Sequence, residues 1–140
     1  MSAVGDGTYI AVQRLYAALA AALDEERFEE AAALFTDDAE LVYAAGRPPV
    51  RTRKAILDDL VEHNRTRPDR QARRRHWFGQ IRLAHADDGG FTSDAYALIV
   101  STNPGESPAI MVSGAVHDVI VEKGDSYLFS SRSVRRDGAQ

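Results

Sequence analysis

Arg73-Arg74-Arg75-His76-Trp77-Phe78-Gly79-Gln80-Ile81-Arg82-Leu83-Ala84 is the stretch on which the reading of this chain turns. Before Pro68 the apolar residues recur at helical spacing; from Arg73 onward they alternate or run together, as strands do. Side chains alternate across a strand, so His76, Phe78 and Gln80 should face one way and Trp77, Ile81 and Leu83 the other. Large apolar groups on both faces imply that neither is fully solvated. One face would then meet helices and a pocket, and the other a second subunit. A homodimer through the sheet is the simplest expectation; packing of Trp77 beneath a local loop is the alternative.

Downstream, three more strand-like stretches occupy 91–101, 109–121 and 127–134. Asp87-Asp88-Gly89-Gly90, Asn103-Pro104-Gly105 and Lys123-Gly124-Asp125 separate them with turn chemistry suited to hairpins. Upstream, Ile10, Leu15, Leu19 and Leu23 predict a helix over 8–24 with Thr8 as its N-cap. A second helix over 25–35 follows, with Phe28, Ala32 and Phe35 on one face, and then a short strand over 40–45. Gly46-Arg47-Pro48-Pro49 breaks the chain. Thr52 is the expected N-cap of a third helix that buries Ile56, Leu57, Leu60 and Val61 and ends before Pro68. Helices first and an antiparallel meander after make this an α+β fold, with the helices on one side of a curved sheet.

The 140 residues suit one domain, 1–140, able to bury a core without staples. With no cysteine, disulfides and thiolate metal sites are excluded. His63, His76, His85 and His117 form no HxH or HxxxH pair, and no carboxylates stand at ligand-like spacing, so no metal is expected. No apolar run approaches the ~20 residues that span a bilayer. The first eight residues lack the basic and apolar regions of a secretion signal, and a soluble cytoplasmic protein is expected. Arg65, Arg67, Arg70, Arg73, Arg74 and Arg75 form a basic cluster. The net charge of −4 and the lack of interleaved aromatics speak against nucleic acid, leaving an anionic small molecule or a carrier-protein surface as the better partners for it.

The candidate chemistry centres on Asp24 and His76. Asp24 falls at the C-terminal end of the first helix, where the helix dipole disfavours a carboxylate. A carboxylate beside an imidazole fixes its tautomer and raises its basicity. Asp24-Glu25-Glu26 also reads as a solvated turn leading into the second helix, and the two readings stand side by side. Tyr43 and Tyr96 lie on predicted strands and could present hydroxyls to a pocket. Tyr16 shares a helix face with Asp24. Asp118 and Arg132 fall opposite each other if the last hairpin turns through Gly124-Asp125-Ser126, as a structural ion pair. Neither a Gly-rich phosphate loop nor a GxSxG elbow is present, and covalent catalysis has little support.

Over almost its whole length the chain resembles the SnoaL-like branch of the nuclear-transport-factor-2-like superfamily. The resemblance is carried by Leu15-Tyr16-Ala17-Ala18-Leu19, Ala22-Leu23-Asp24, Phe28, Ala33-Leu34-Phe35 and Asp37-Asp38-Ala39. It continues through Arg75-His76 on the strand, and Gly114, Asp118, Gly124-Asp125, Tyr127 and Arg132 in the closing hairpin. It implies a cone of bent antiparallel sheet wrapped by three helices around a deep apolar pocket. Members similar to scytalone dehydratase use an aspartate at the end of the first helix with a strand histidine, the positions of Asp24 and His76. Tyr43 matches a tyrosine following their second helix, and Tyr96 falls near a polar pocket position. The chain departs in having Leu19 and Leu23 where a tyrosine often precedes the aspartate, and Val116 where the hairpin carries tyrosine.

The expectation is therefore a small-molecule enzyme needing no cofactor, performing cyclisation, dehydration or isomerisation on an apolar oxygenated substrate such as a polyketide or terpenoid intermediate. Asp24, His76 and Tyr43 would carry the chemistry, with Tyr16, Phe78, Tyr96 and Val116 around the substrate. The alternative is a non-catalytic ligand-binding or assembly module of the same fold.

Overall fold

The computed structural model of the chain describes residues 3–43 and 46–139. Three helices, α1 (Asp6–Asp24), α2 (Phe28–Ala32) and α3 (Arg53–Thr66), accompany six strands. The strands are β1 (Phe35–Tyr43), β2 (Val50–Arg51), β3 (Arg73–His85), β4 (Phe91–Thr102), β5 (Ala109–Lys123) and β6 (Ser126–Arg136). They form one open sheet in the order β2-β1-β6-β5-β4-β3. The α+β class is as expected, and β3 to β6 form the expected meander, each antiparallel to the next. The sheet as a whole is mixed, because β1 joins β6 in parallel, with Leu41 beside Arg132 and Tyr43 beside Val134. Hydrophobic alternation reports which face a strand buries but carries no sign of its direction relative to a distant neighbour.

Local chemistry explains most boundaries. Thr52 caps α3 as expected: its hydroxyl accepts from the Ala55 amide at 3.2 Å, and the helix stops just before Pro68. Of the stripe expected there, Ile56 is fully buried, whereas Val61 is exposed. The first helix begins at Asp6 with Gly5 as N-cap, so Thr8 lies inside it rather than capping it. Its buried face is Val12, Leu15, Tyr16, Leu19 and Ala22; Ile10 points outward.

The second helix is shorter than its apolar spacing predicts, and β1 begins at Phe35 instead of residue 40. Tertiary pairing overrides local propensity here. Phe35 is buried against Phe129, with ring centroids 5.3 Å apart. The Phe129 amide donates to Leu34 O at 2.9 Å, and the Arg53 guanidinium donates twice to Phe35 O. These partners hold the chain extended from Phe35 onward. The predicted end of this strand, at residues 44–45, lies outside the described residues.

One irregularity changes the reading of β3. Gln80 adopts φ +55°, and the register with β4 shifts between Gly79 and Arg82, a β-bulge. The extra residue switches the alternation. Ile81 and Leu83 thus join His76 and Phe78 on the helix-covered face, where Ile81 and Phe78 meet the same core. The other face keeps Trp77, which is 65 % exposed, so no local loop covers it.

The core is held by a buried polar knot. Arg132 on β6 donates from Nε and Nη2 to the two oxygens of Asp118 on β5, at 2.8 and 2.9 Å. The hairpin turning on Gly124-Asp125 sets the two residues opposite each other, as the sequence predicts. The Tyr16 hydroxyl of α1 donates to Asp118 at 2.5 Å and lies 2.8 Å from Ser93 Oγ on β4. Burial, then the Asp118 charge, raises the Tyr16 pKa far above that of a free phenol, so Tyr16 stays a neutral donor. Removing one partner of such a pair strands a buried charge. Asp118→Ala is expected to lower stability by about 3–5 kcal/mol, and Tyr16→Phe by about 1–3 kcal/mol. Urea unfolding of the two variants checks both.

Candidate active site

Helices α1 and α3 stand over the inner sheet face without filling it. Small residues on the central strands, among them Ala97 and Gly114, leave the space open. Gly114 is required as such: a Cβ there would lie 2.3 Å from Arg135 O of the neighbouring strand. The result is a cavity of about 990 Å³, large enough for a polycyclic small molecule. Its apolar wall includes Leu19, Phe35, Leu41, Ile56, Phe78 and Val116.

Asp24 and His76 meet on this cavity. Asp24 ends α1, and its Oδ1 lies 2.7 Å from His76 Nδ1. Both carboxylate oxygens also accept from the His76 backbone amide, at 3.0 and 3.2 Å. One side chain therefore holds the strand and the ring together. The solvated-turn reading fails for Asp24, whose side chain is 12 % exposed, while Glu25 and Glu26 beside it are exposed. With Nδ1–H donated to the carboxylate, Nε2 is the ring nitrogen left to take a proton. Burial holds the His76 pKa below the ordinary imidazole range and outweighs the opposing contributions of the Asp24 hydrogen bond and charge. The ring is neutral at pH 7.

Tyr43 closes another side of the cavity, with the Arg47 guanidinium 4.5 Å from its ring centroid. Burial, then the Asp59 charge, raises its pKa, and the hydroxyl remains a proton donor. Phe78 and Val116 line the same space. Tyr16 and Tyr96 do not. The Tyr16 hydroxyl is spent on Asp118 and Ser93 inside the core. Tyr96 points to the outer sheet face and is 59 % exposed, because its neighbours Ala95 and Ala97 take the inner positions.

Arg132 is the residue the sequence undervalues. Besides pairing with Asp118 it lines the cavity, its guanidinium carbon 4.8 Å from the Phe78 ring centroid and 4.9 Å from that of Phe129. Its Nη1 makes no hydrogen bond among the described residues. Its charge acts on both His76 and Tyr43, lowering the pKa of each. Strand alternation carried the signal: Val116 and Asp118 share a face, so the partner of Asp118 must border the same pocket as Val116.

With this geometry in place, comparison with known proteins assigns the family. Residues 8–133 match the SnoaL-like domain, and the chain belongs to that family. Among solved structures, ActVI-ORFA from Streptomyces coelicolor is 32 % identical with a TM-score of 0.88, over 95 % of this chain and 99 % of that one. Aln2 from another Streptomyces is 26 % identical with a TM-score of 0.87, over 97 % and 95 %. A protein from Catenulispora acidiphila, solved in complex with S-DNPA, is 32 % identical with a TM-score of 0.84, over 95 % and 96 %. No curated protein matches. No helix of the described residues is long and apolar enough to cross a membrane.

The wiring of His76 is open to direct measurement. Because its pKa is lowered, its ring should gain a proton only below pH 6.5, the ordinary imidazole value. NMR titration of the ring resonances is expected to place the midpoint below that value. Asp24→Asn removes a contribution that raises the pKa, and should move the midpoint lower still.

Proposed function

We propose that this protein is an acid–base enzyme acting on an apolar, oxygenated small molecule by cyclisation, dehydration or isomerisation. The observation that carries the reading is the Asp24–His76 pair opening onto a large, mainly apolar cavity. His76 Nε2 takes a proton from an acidic carbon or hydroxyl of the substrate. Asp24 keeps Nδ1 protonated, aims the ring and stabilises the imidazolium that forms. Tyr43 donates a hydrogen bond to a carbonyl oxygen as negative charge develops there. His76 then returns the proton, to a leaving hydroxyl in a dehydration or to a second carbon in an isomerisation. Base, orienting carboxylate and donor all come from the chain itself, so the step needs no cofactor. The apolar wall positions the substrate and limits water. That a similar protein from Catenulispora acidiphila is solved in complex with S-DNPA supports a small-molecule ligand.

We also propose that the outer sheet face pairs with a second copy of the chain. Trp77 is 65 % exposed, Tyr96 59 % and Ile110 66 %. The ladders connect them across β3, β4 and β5: Trp77 pairs with Leu98, Gly79 with Tyr96, and Val100 with Ile110. Clustered exposed apolar side chains of this size favour burial in an interface.

Two measurements test these readings. His76→Ala and Asp24→Asn should each keep the fold by circular dichroism and lose roughly 10²–10⁴-fold in kcat/KM on a substrate found by screening aromatic polyketides and terpenoids. Full activity of His76→Ala would remove the acid–base mechanism and favour a binding module. Light scattering should give the mass of a dimer for the wild type and of a monomer for Trp77→Lys; a monomeric wild type would end the dimer proposal.

A further inference from the structure

Arg132 carries a donor that the fold does not use. Its Nε and Nη2 are taken by Asp118, which leaves Nη1 on the edge of the guanidinium away from that carboxylate. Around the guanidinium carbon stand the rings of Phe78, Phe129 and Tyr16, with centroids at 4.8, 4.9 and 5.8 Å. Ring faces attract a cation but offer an N–H no lone pair. Among the described residues Nη1 makes no hydrogen bond.

The atom is nonetheless open to a ligand. Arg67 Nε is the one side-chain donor or acceptor among the described residues that is both sealed from solvent and without a partner. Arg132 Nη1, equally without a partner, is therefore not sealed. Its residue is only 6 % exposed and lines the cavity, so the surface that Nη1 keeps is cavity surface.

Charge and position narrow what this donor can meet. Burial works against the Arg132 charge, but the Asp118 charge and hydrogen bonds outweigh it and raise the pKa, so the cation persists. Asp118 already balances that charge. A full anion at Nη1 would be a second negative group beside Asp118, whereas a carbonyl oxygen supplies a lone pair without adding charge. Phe78 ties the position to the base: its ring centroid lies 4.8 Å from the guanidinium carbon and 6.2 Å from the centroid of the His76 ring. Donor and base thus border the same aromatic side chain, and a fused-ring molecule is long enough to reach from one to the other.

We propose that Arg132 is a substrate-binding residue that sets specificity: its Nη1 donates to a neutral carbonyl oxygen on the substrate, and molecules lacking that oxygen are discriminated against. The proposal rests on the cavity being the substrate site and names the group that a substrate must present there. A hydrogen bond from a charged donor is stronger than one between neutral groups, and an apolar ligand over Nη1 would strand a buried N–H.

The test compares 2-acetonaphthone with 2-isopropenylnaphthalene, which has nearly the same shape with a CH2 group in place of the oxygen. Calorimetry gives the affinities, and NMR follows the His76 ring and the Arg132 side-chain N–H resonances of the wild type. The ketone should bind at least about ten-fold more tightly and shift the Arg132 Nη1 protons, whereas the alkene should move His76 alone. Arg132→Lys keeps a cation for Asp118 but removes Nη1, and the folded variant should lose the preference for the ketone. Where that variant does not fold, the wild-type Arg132 resonances decide. Equal binding of ketone and alkene, both perturbing His76, would overturn the role of Arg132 and leave the cavity reading standing. So would a preference for the ketone that leaves the Arg132 resonances unmoved, or one that folded Arg132→Lys retains. Failure of both compounds to perturb His76 would overturn the proposal together with the cavity reading.

Discussion

Asp118 and Arg132 sit opposite each other on β5 and β6, nearly out of reach of water, and most of the architecture is arranged around satisfying them. Two charges buried together are stable only if their remaining hydrogen-bonding capacity is met. Tyr16 supplies that from α1, and Ser93 joins from β4, so helix and sheet are locked in one relative position. The guanidinium lies over the faces of the Phe78 and Phe129 rings, which suits a cation of this shape. The same arginine then forms part of the cavity wall. Structure and candidate chemistry meet in one side chain, whose loss would damage both.

Asp24, which also lines the cavity, plays a comparable joining role. Its position at the end of α1 is electrostatically unfavourable for the helix, and its partners explain why it is tolerated. The carboxylate accepts from the His76 amide and from the His76 ring, tying α1 to β3. An imidazole whose ring and backbone amide are held by one carboxylate has little freedom to reorient. That rigidity suits the proton transfer proposed for it.

The cavity wall is mixed in character. It combines aliphatic and aromatic side chains with the dyad and with several arginines, among them Arg47, Arg67, Arg74 and Arg136. The arginines that a linear reading sees as one run, from Arg65 to Arg75, divide in three dimensions. Arg65 pairs with Glu62 on the solvent side of α3, Arg74 pairs with Asp69, and the nearly buried Arg67 stands 4.0 Å from both Glu26 and Asp69.

Much was legible in the residues themselves. Apolar spacing and turn chemistry located α1, α3 and the four long strands, because those signals are local. The Thr52 cap and the Asp118–Arg132 pairing were readable for the same reason: each depends on a short, definite separation along the chain. The candidate pair Asp24 and His76 came from chemistry joined to family resemblance, and the fold brings the two within hydrogen-bond distance. What the sequence left undecided depends on partners far away in the chain. Phe35 is extended because Phe129 and Arg53 hold it so, β1 lies parallel to β6, and a single bulged residue, Gln80, moves Ile81 and Leu83 to the inner face. Tyr16 and Tyr96 looked alike as possible pocket residues, yet one is buried in the core and the other exposed on the outer face. Local sequence therefore determined which elements exist, while tertiary structure decided which face each side chain presents, because that choice follows from long-range pairing and burial and not from neighbours along the chain.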